Sequence, residues 1–164
     1  MDKTSELTAL LHEMSHDAPM GYSLGLQIRF TSPEYLFQTF PKAWIEEYSE
    51  RGYTIRDPAL LWAFENSGWT RWSDIETNGG EEVMQRAAHH GLIYGITLAI
   101  DGEENRSICA FARGDREFTD EEIEGLVEQS RQAHELTSKI NGLTDKEREA
   151  LHVMSVRFIQ SRDG

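Results

Sequence analysis

Phe40, Trp44 and Tyr48 stand at i, i+4 and i+8, and Asp57-Pro58 follows in the stretch AWIEEYSERGYTIRDP. On a helix that spacing puts three rings on one face. An indole N–H and a phenol O–H both need partners when buried. Two polar tips on an aromatic face suit the orientation of a small ligand that carries carbonyl groups. Aromatics at helical spacing also pack ordinary cores, and the spacing alone leaves both readings open. Asp57 has two readings as well. Asp-Pro opens turns and caps helices, and a carboxylate at a helix start can accept an N–H from a ligand. Two oxygens allow both roles, and the local sequence favours the cap.

Other reactive side chains lack a constellation. Trp69 and Trp72 flank Arg71 in a short polar stretch, where they could cover either a core or a pocket. His89 and His90 are adjacent and cannot point the same way on a helix, so no metal site is expected. Cys109 lies in an apolar segment without an activating neighbour and reads as a buried thiol. There is no Gly-rich phosphate loop, nucleophile elbow or HExxH. The sequence therefore gives no catalytic residue, no metal and no cofactor, and an enzyme is not expected.

These residues need elements to position them. Leu7, Leu10, Leu11 and Met14 form a helical stripe. In GYSLGLQIRF, Tyr22, Leu24, Leu26, Ile28 and Phe30 alternate with polar or small residues, which predicts a strand with one buried face. Residues 33–51 read as helical, in a short turn and a longer piece from Pro41 to a stop at Gly52. A short helix follows Pro58, then a loop or short turn through SGWTRWSDI, then a helix over GEEVMQRAAHH. LIYGITLAI and RSICAFAR flank DGEEN as a hairpin. Thr119 and Glu122 make a capping box for a long helix that runs to Ile140 and carries Ile123, Leu126, Val127 and Ser130 on one face. Further strand is expected from GYTIR and the edges of the loops. The order gives an α+β fold, a mainly antiparallel sheet covered by helices on both faces.

After a break at Asn141-Gly142, Thr144 and Glu147 form a second capping box before a stripe of Leu151, Met154 and Phe158. One amphipathic helix cannot bury its face alone. Residues 1–140 thus read as one domain, and 141–164 as a linker and the first helix of a truncated second one.

The 164 residues carry a net charge of −13, from 16 basic and 29 acidic side chains. That balance disfavours direct binding to nucleic acid or an anionic membrane. No apolar run approaches the ~20 residues of a membrane span. The charged, amphipathic start is unlike a signal peptide, and a lone cysteine forms no internal disulfide. Together these point to the cytoplasm.

The whole pattern resembles the autoinducer-binding domain of LuxR-type quorum-sensing regulators. Trp44, Tyr48, Asp57 and Pro58, then Trp72, then AAHHGLIYGITL carry the resemblance over residues 20–140, and LTDKEREAL resembles the start of the helix-turn-helix domain that follows in that family. The resemblance implies an α-β-α sandwich, with about five strands, that holds an N-acyl-homoserine lactone between the sheet and the helices of one face. It implies that Trp44 donates to the lactone carbonyl and Asp57 accepts the acyl amide N–H. Tyr48 would lie along the acyl chain or donate to a carbonyl, and Trp72 would form a wall beside the ring. It also implies a homodimer, with promoter DNA reached only through the rest of the helix-turn-helix domain. The long helix is a candidate interface, although packing on the sheet explains its stripe equally well.

Phe40, Ala59 and Ala110 depart from the family pattern, each lacking a hydroxyl common there. A 3-oxo group on the acyl chain should therefore be read weakly. The expected result is less than about a tenfold preference for a 3-oxo lactone over its unsubstituted partner in a direct binding assay. The same departures keep open an orphan sensor that responds to another small amide or lactone, or to none.

Overall fold

The computed structural model describes residues 2–138 and 142–163, with side chains up to Ser155. Asn141 and the side chain of Phe158 lie outside the described residues. Among the described residues, six α-helices surround one five-stranded antiparallel sheet of order β2-β1-β5-β4-β3.

Helix α1 (Lys3–Asp17) starts at Asp2, whose side chain accepts from Ser5 N–H, and it buries Leu7, Leu10, Leu11 and Met14. Strand β1 (Tyr22–Arg29) pairs with β2 (Ser32–Gln38) on one side and β5 (Arg106–Arg113) on the other. β4 (Tyr94–Asp101) joins β5 to the edge strand β3 (Gly68–Arg71). Leu24, Leu26, Phe37, Leu98, Cys109 and Phe111 form the core under α1 and α5 (Asp120–Thr137). α2 (Lys42–Glu50), α3 (Pro58–Glu65) and α4 (Glu81–His89) cover the opposite face.

Three expectations are corrected. Residues 32–38 are a strand, not part of a helix. Tyr35 and Phe37 are buried at alternate positions, and Pro33 is tolerated because β2 is an edge. GYTIR supplies a 3₁₀ turn (Tyr53–Ile55) instead of a strand, and the remaining strand is β3, at the edge of the stretch expected to be a loop or short turn. The alternation along β1 also breaks. A bulge between Gly25 and Ile28 carries Gln27 at φ 57°, so Ile28 turns to the α3 face with Ala63 and Ile108 while Leu26 stays under α1. Phe30 lies beyond the pairing and is 98% exposed.

Gln27 is buried, and its polar atoms are used. Its backbone N–H donates to Ser107, and its side-chain amide donates to the His134 carbonyl and Thr137 hydroxyl of α5. This ties the bulge to α5, whose buried Ile123, Leu126, Ser130 and Ala133 face inward. The stripe considered as an interface is thus spent on the core of this chain.

α6 (Asp145–Asp163) begins at the expected Thr144–Glu147 capping box and packs on β2 and α1. Leu143 and Leu151 enter the main core. The Ser155 hydroxyl donates to the Leu36 carbonyl at 2.7 Å and accepts the Leu36 N–H at 2.9 Å, closing part of the open β2 edge. Ser155→Ala should lower stability by about 1 kcal/mol and speed exchange of the Leu36 amide, as read by hydrogen exchange. Among the described residues, no helix is long and apolar enough to cross a membrane.

Candidate functional site

The aromatic set comes together on the α2–α4 face. Helix α2 begins at Lys42 after Pro41, so Phe40 precedes the helix instead of sharing its face, yet it is buried beside Trp44. Trp44 is 5% exposed. Its ring is boxed by Tyr48, Tyr53 and His90, with centroids 5.6, 5.7 and 5.6 Å away. Among the described residues, its indole N–H has no hydrogen-bond acceptor. Val83 and Ala87 of α4, Leu92, and Ala110 and Ala112 of β5 complete the cluster.

Asp57 joins this cluster through Tyr48, whose hydroxyl donates to Oδ2 at 2.6 Å. Its Oδ1 accepts the Ala59 N–H at 3.0 Å, which makes Asp57 the N-cap of α3. The cap favoured from sequence is present, and the carboxylate serves the tyrosine as well. Burial raises the Asp57 carboxyl above the usual aspartate range, against the Tyr48 and Ala59 hydrogen bonds, which favour the anion. Burial and the nearby Asp57 charge raise the Tyr48 phenol, so the proton stays on the tyrosine. A carboxylate has about four acceptor positions, so two bonds leave room for another donor.

Trp72 packs against the same cluster from the 3₁₀ turn Trp72–Asp74, and its indole N–H donates to Thr97 of β4 at 2.8 Å. The two tryptophans therefore differ: one N–H is occupied and the other is free. Gly95 makes the placement possible, because a Cβ there would fall 2.3 Å from Cδ2 of Trp72. Gly95→Ala should displace the indole, break its bond to Thr97, and lower stability by ~1–3 kcal/mol, measured by chemical denaturation.

Ala59 is buried and contributes its backbone N–H, while Ala110 pairs with Thr97 and presents only a methyl group to the cluster. Of the other sequence candidates, His90 borders the cluster and the rest lie elsewhere. Trp69 is on the exposed β3 edge over Arg71. His89 and His90 diverge as expected, with His89 exposed and His90 turned to Glu47. Cys109 faces the α1–α5 core, where burial pushes its thiol up to about 12. No group of metal-ligating side chains occurs among the described residues.

Tyr53, Thr97, Glu47 and Met20 were not singled out from sequence, and His90 was weighed there only as half of a metal pair, not as a wall beside Trp44. Thr97 gives a weak signal, a hydroxyl inside an apolar strand that must be paired if buried. Met20 packs on the cluster and borders a surface hollow of about 250 Å³ between residues 15–21 and Thr39–Pro41. An indole N–H without a protein acceptor, a carboxylate with spare acceptor capacity and apolar walls can together hold a small amide with a carbonyl nearby.

A family model described as the autoinducer binding domain matches residues 5–136. The HTH-type quorum-sensing regulator RhlR of Pseudomonas aeruginosa is 32% identical over 109 residues, covering 64% of this chain and 45% of that protein. The transcriptional activator protein VanR of Vibrio anguillarum is 27% identical over 93 residues, covering 55% and 39%. The matches thus span less than half the length of these relatives. Among solved structures, SdiA in complex with octanoyl-rac-glycerol is 21% identical with a TM-score of 0.61, covering 96% of this chain and 78% of that one. The solution structure of E. coli SdiA1-171 is 24% identical with a TM-score of 0.62, covering 80% and 86%. At these identities the structural likeness concerns the fold.

Proposed function

We propose, since this chain belongs to the autoinducer-binding domain family of LuxR-type regulators, that its aromatic cluster receives an N-acyl-homoserine lactone. The observation that carries this reading is that the indole of buried Trp44 and the largely desolvated Asp57 carboxylate flank Tyr48, which touches the one and bonds the other. Trp44 donates to the lactone carbonyl and Asp57 accepts the amide N–H. Tyr48, already on Asp57, supports the carboxylate and lies along the acyl chain. Trp72 walls the ring. Phe40, Ala59 and Ala110 add apolar surface around the acyl carbonyl. A polar ligand group left unpaired there would cost roughly 1–3 kcal/mol, and that cost is the source of head-group selectivity.

Ligand binding stabilises the folded chain by linkage. In the longer protein it favours a homodimer whose helix-turn-helix domains sit on two operator half-sites. On this reading α6, which packs on β2 and α1, is the first helix of that second domain. The protein works as a cytoplasmic sensor, with no catalytic step. A thermal shift with lactones of several chain lengths tests the reading. Concentration-dependent stabilisation is expected, with the lactone recovered intact. No shift with any lactone would instead support an orphan sensor.

A second reading follows from the SdiA neighbour solved with octanoyl-rac-glycerol, a ligand with an acyl chain and no amide. Here Asp57 would accept a glycerol hydroxyl in place of an N–H. A monoacylglycerol arm in the same assay separates the two, since the lactone reading expects the larger shift from the amide.

A further inference from the structure

We infer that Glu47 is a positioning residue for the ligand: it fixes the two rings that box in Trp44 and so sets where the indole N–H points. The inference rests on the lactone reading above and assigns a role in that site to a residue outside the ligand contacts.

Glu47 lies almost one turn after Trp44 on α2, and its carboxylate gathers donors from three places. Arg86 of α4 donates through Nε to Oε2 and through Nη2 to Oε1, both at 2.7 Å. The Tyr53 hydroxyl donates to Oε2 at 2.9 Å, and His90 Nε2 lies 2.9 Å from Oε1. Tyr53 and His90 are two of the three rings around Trp44. The third, Tyr48, is held by Asp57. One carboxylate thus anchors two walls of the box, and another anchors the third.

The geometry suits that task. The Arg86 fork is planar and bidentate, which fixes the Glu47 carboxylate in orientation as well as place. Hydrogen bonds from Arg86 and then His90 hold the Glu47 carboxyl well below the usual glutamate range. The Glu47 side chain is only 16% exposed, so this is a shielded cluster and not a pair waving in solvent. Among the described residues it is also the direct polar link between α2 and α4. Without it, Tyr53 and His90 regain rotamer freedom, and the indole beside them is no longer confined to one pose.

A merely structural link would lower stability and weaken all ligands alike. A positioning residue is revealed by the ligand's own carbonyl. The test compares acyl-homoserine lactones of butanoyl, octanoyl and dodecanoyl chain length with the matching tetrahydrofuranyl amides, which lack the ring carbonyl. Calorimetry gives both Kd values for wild type, Glu47→Gln and Glu47→Ala. Wild type should prefer the lactone by at least about tenfold. Glu47→Ala should reduce that preference below about threefold while the amide's affinity changes less than about threefold. Glu47→Gln keeps an acceptor oxygen for Tyr53 and should fall between. An unchanged preference in Glu47→Ala overturns the inference, whatever its Tm. If wild type binds neither series, or both equally, the Trp44 reading fails and the role of Glu47 falls with it. Should Glu47→Ala not fold, Arg86→Met releases the same carboxylate and carries the same expectation.

Discussion

Asp57→Asn should lower lactone affinity by about a hundredfold, ~2.7 kcal/mol, and leave the free protein at least as stable as wild type. The two effects have separate origins. An asparagine oxygen can still cap the Ala59 N–H, since Asn is as good an N-cap as Asp, so α3 keeps its start. The amide nitrogen, however, replaces the oxygen that faces the proposed ligand N–H. Donor then meets donor at a half-buried position. The free protein loses a buried charge, which is a cost to it. Calorimetry for affinity and thermal unfolding for stability should therefore move apart. A loss of affinity matched by an equal loss of stability would mean that Asp57 acts only as a cap.

The pH dependence follows from the same carboxyl. Its folded value is raised, chiefly by burial. A raised folded value means that its contribution to stability is complete below the unfolded value of about 4 and is lost as pH rises through the folded one. The unliganded protein should thus lose stability over that window, and Asp57→Asn should remove the slope. A ligand N–H favours the anion and pulls the value back down. Lactone binding should then release protons and tighten with rising pH over the same range. Calorimetry in two buffers of different ionisation enthalpy reads that release directly.

Trp44, Tyr48 and Asp57 were legible because each combines a polar tip with a local position: two on one helix face and one at a helix start. Their partners were less so. Thr97 meets Trp72 across 25 residues, and Arg86 meets Glu47 across 39, and nothing near either residue signals the other. Residues 32–38 show the converse problem. Pro33 suits a helix start, and only pairing with β1 makes the Tyr35–Phe37 alternation decisive. The flip of Ile28 was hidden for a similar reason. Its sequence alternates regularly, and the bulge is fixed by Gln27 reaching Ser107 and α5. Side-chain chemistry is written locally, and the choice of which buried groups satisfy one another is made by the whole fold.

Trp44→Phe should weaken lactone binding by at least about tenfold and barely change binding of the matched amide that lacks the ring carbonyl. Phenylalanine keeps a ring between Tyr48, Tyr53 and His90 and removes the indole N–H. The smaller ring leaves a gap, so stability should fall by ~1–2 kcal/mol, which unfolding in denaturant would register. The comparison of ligands cancels that loss, because the gap is common to both complexes. In the proposed complex Trp44 and Asp57 serve opposite ends of one head group, with Tyr48 between them. If each acts only through the ligand, the losses from Trp44→Phe and Asp57→Asn add in the double variant. A smaller combined loss would show that they also act on each other through Tyr48, whose ring touches the indole and whose hydroxyl holds the carboxylate.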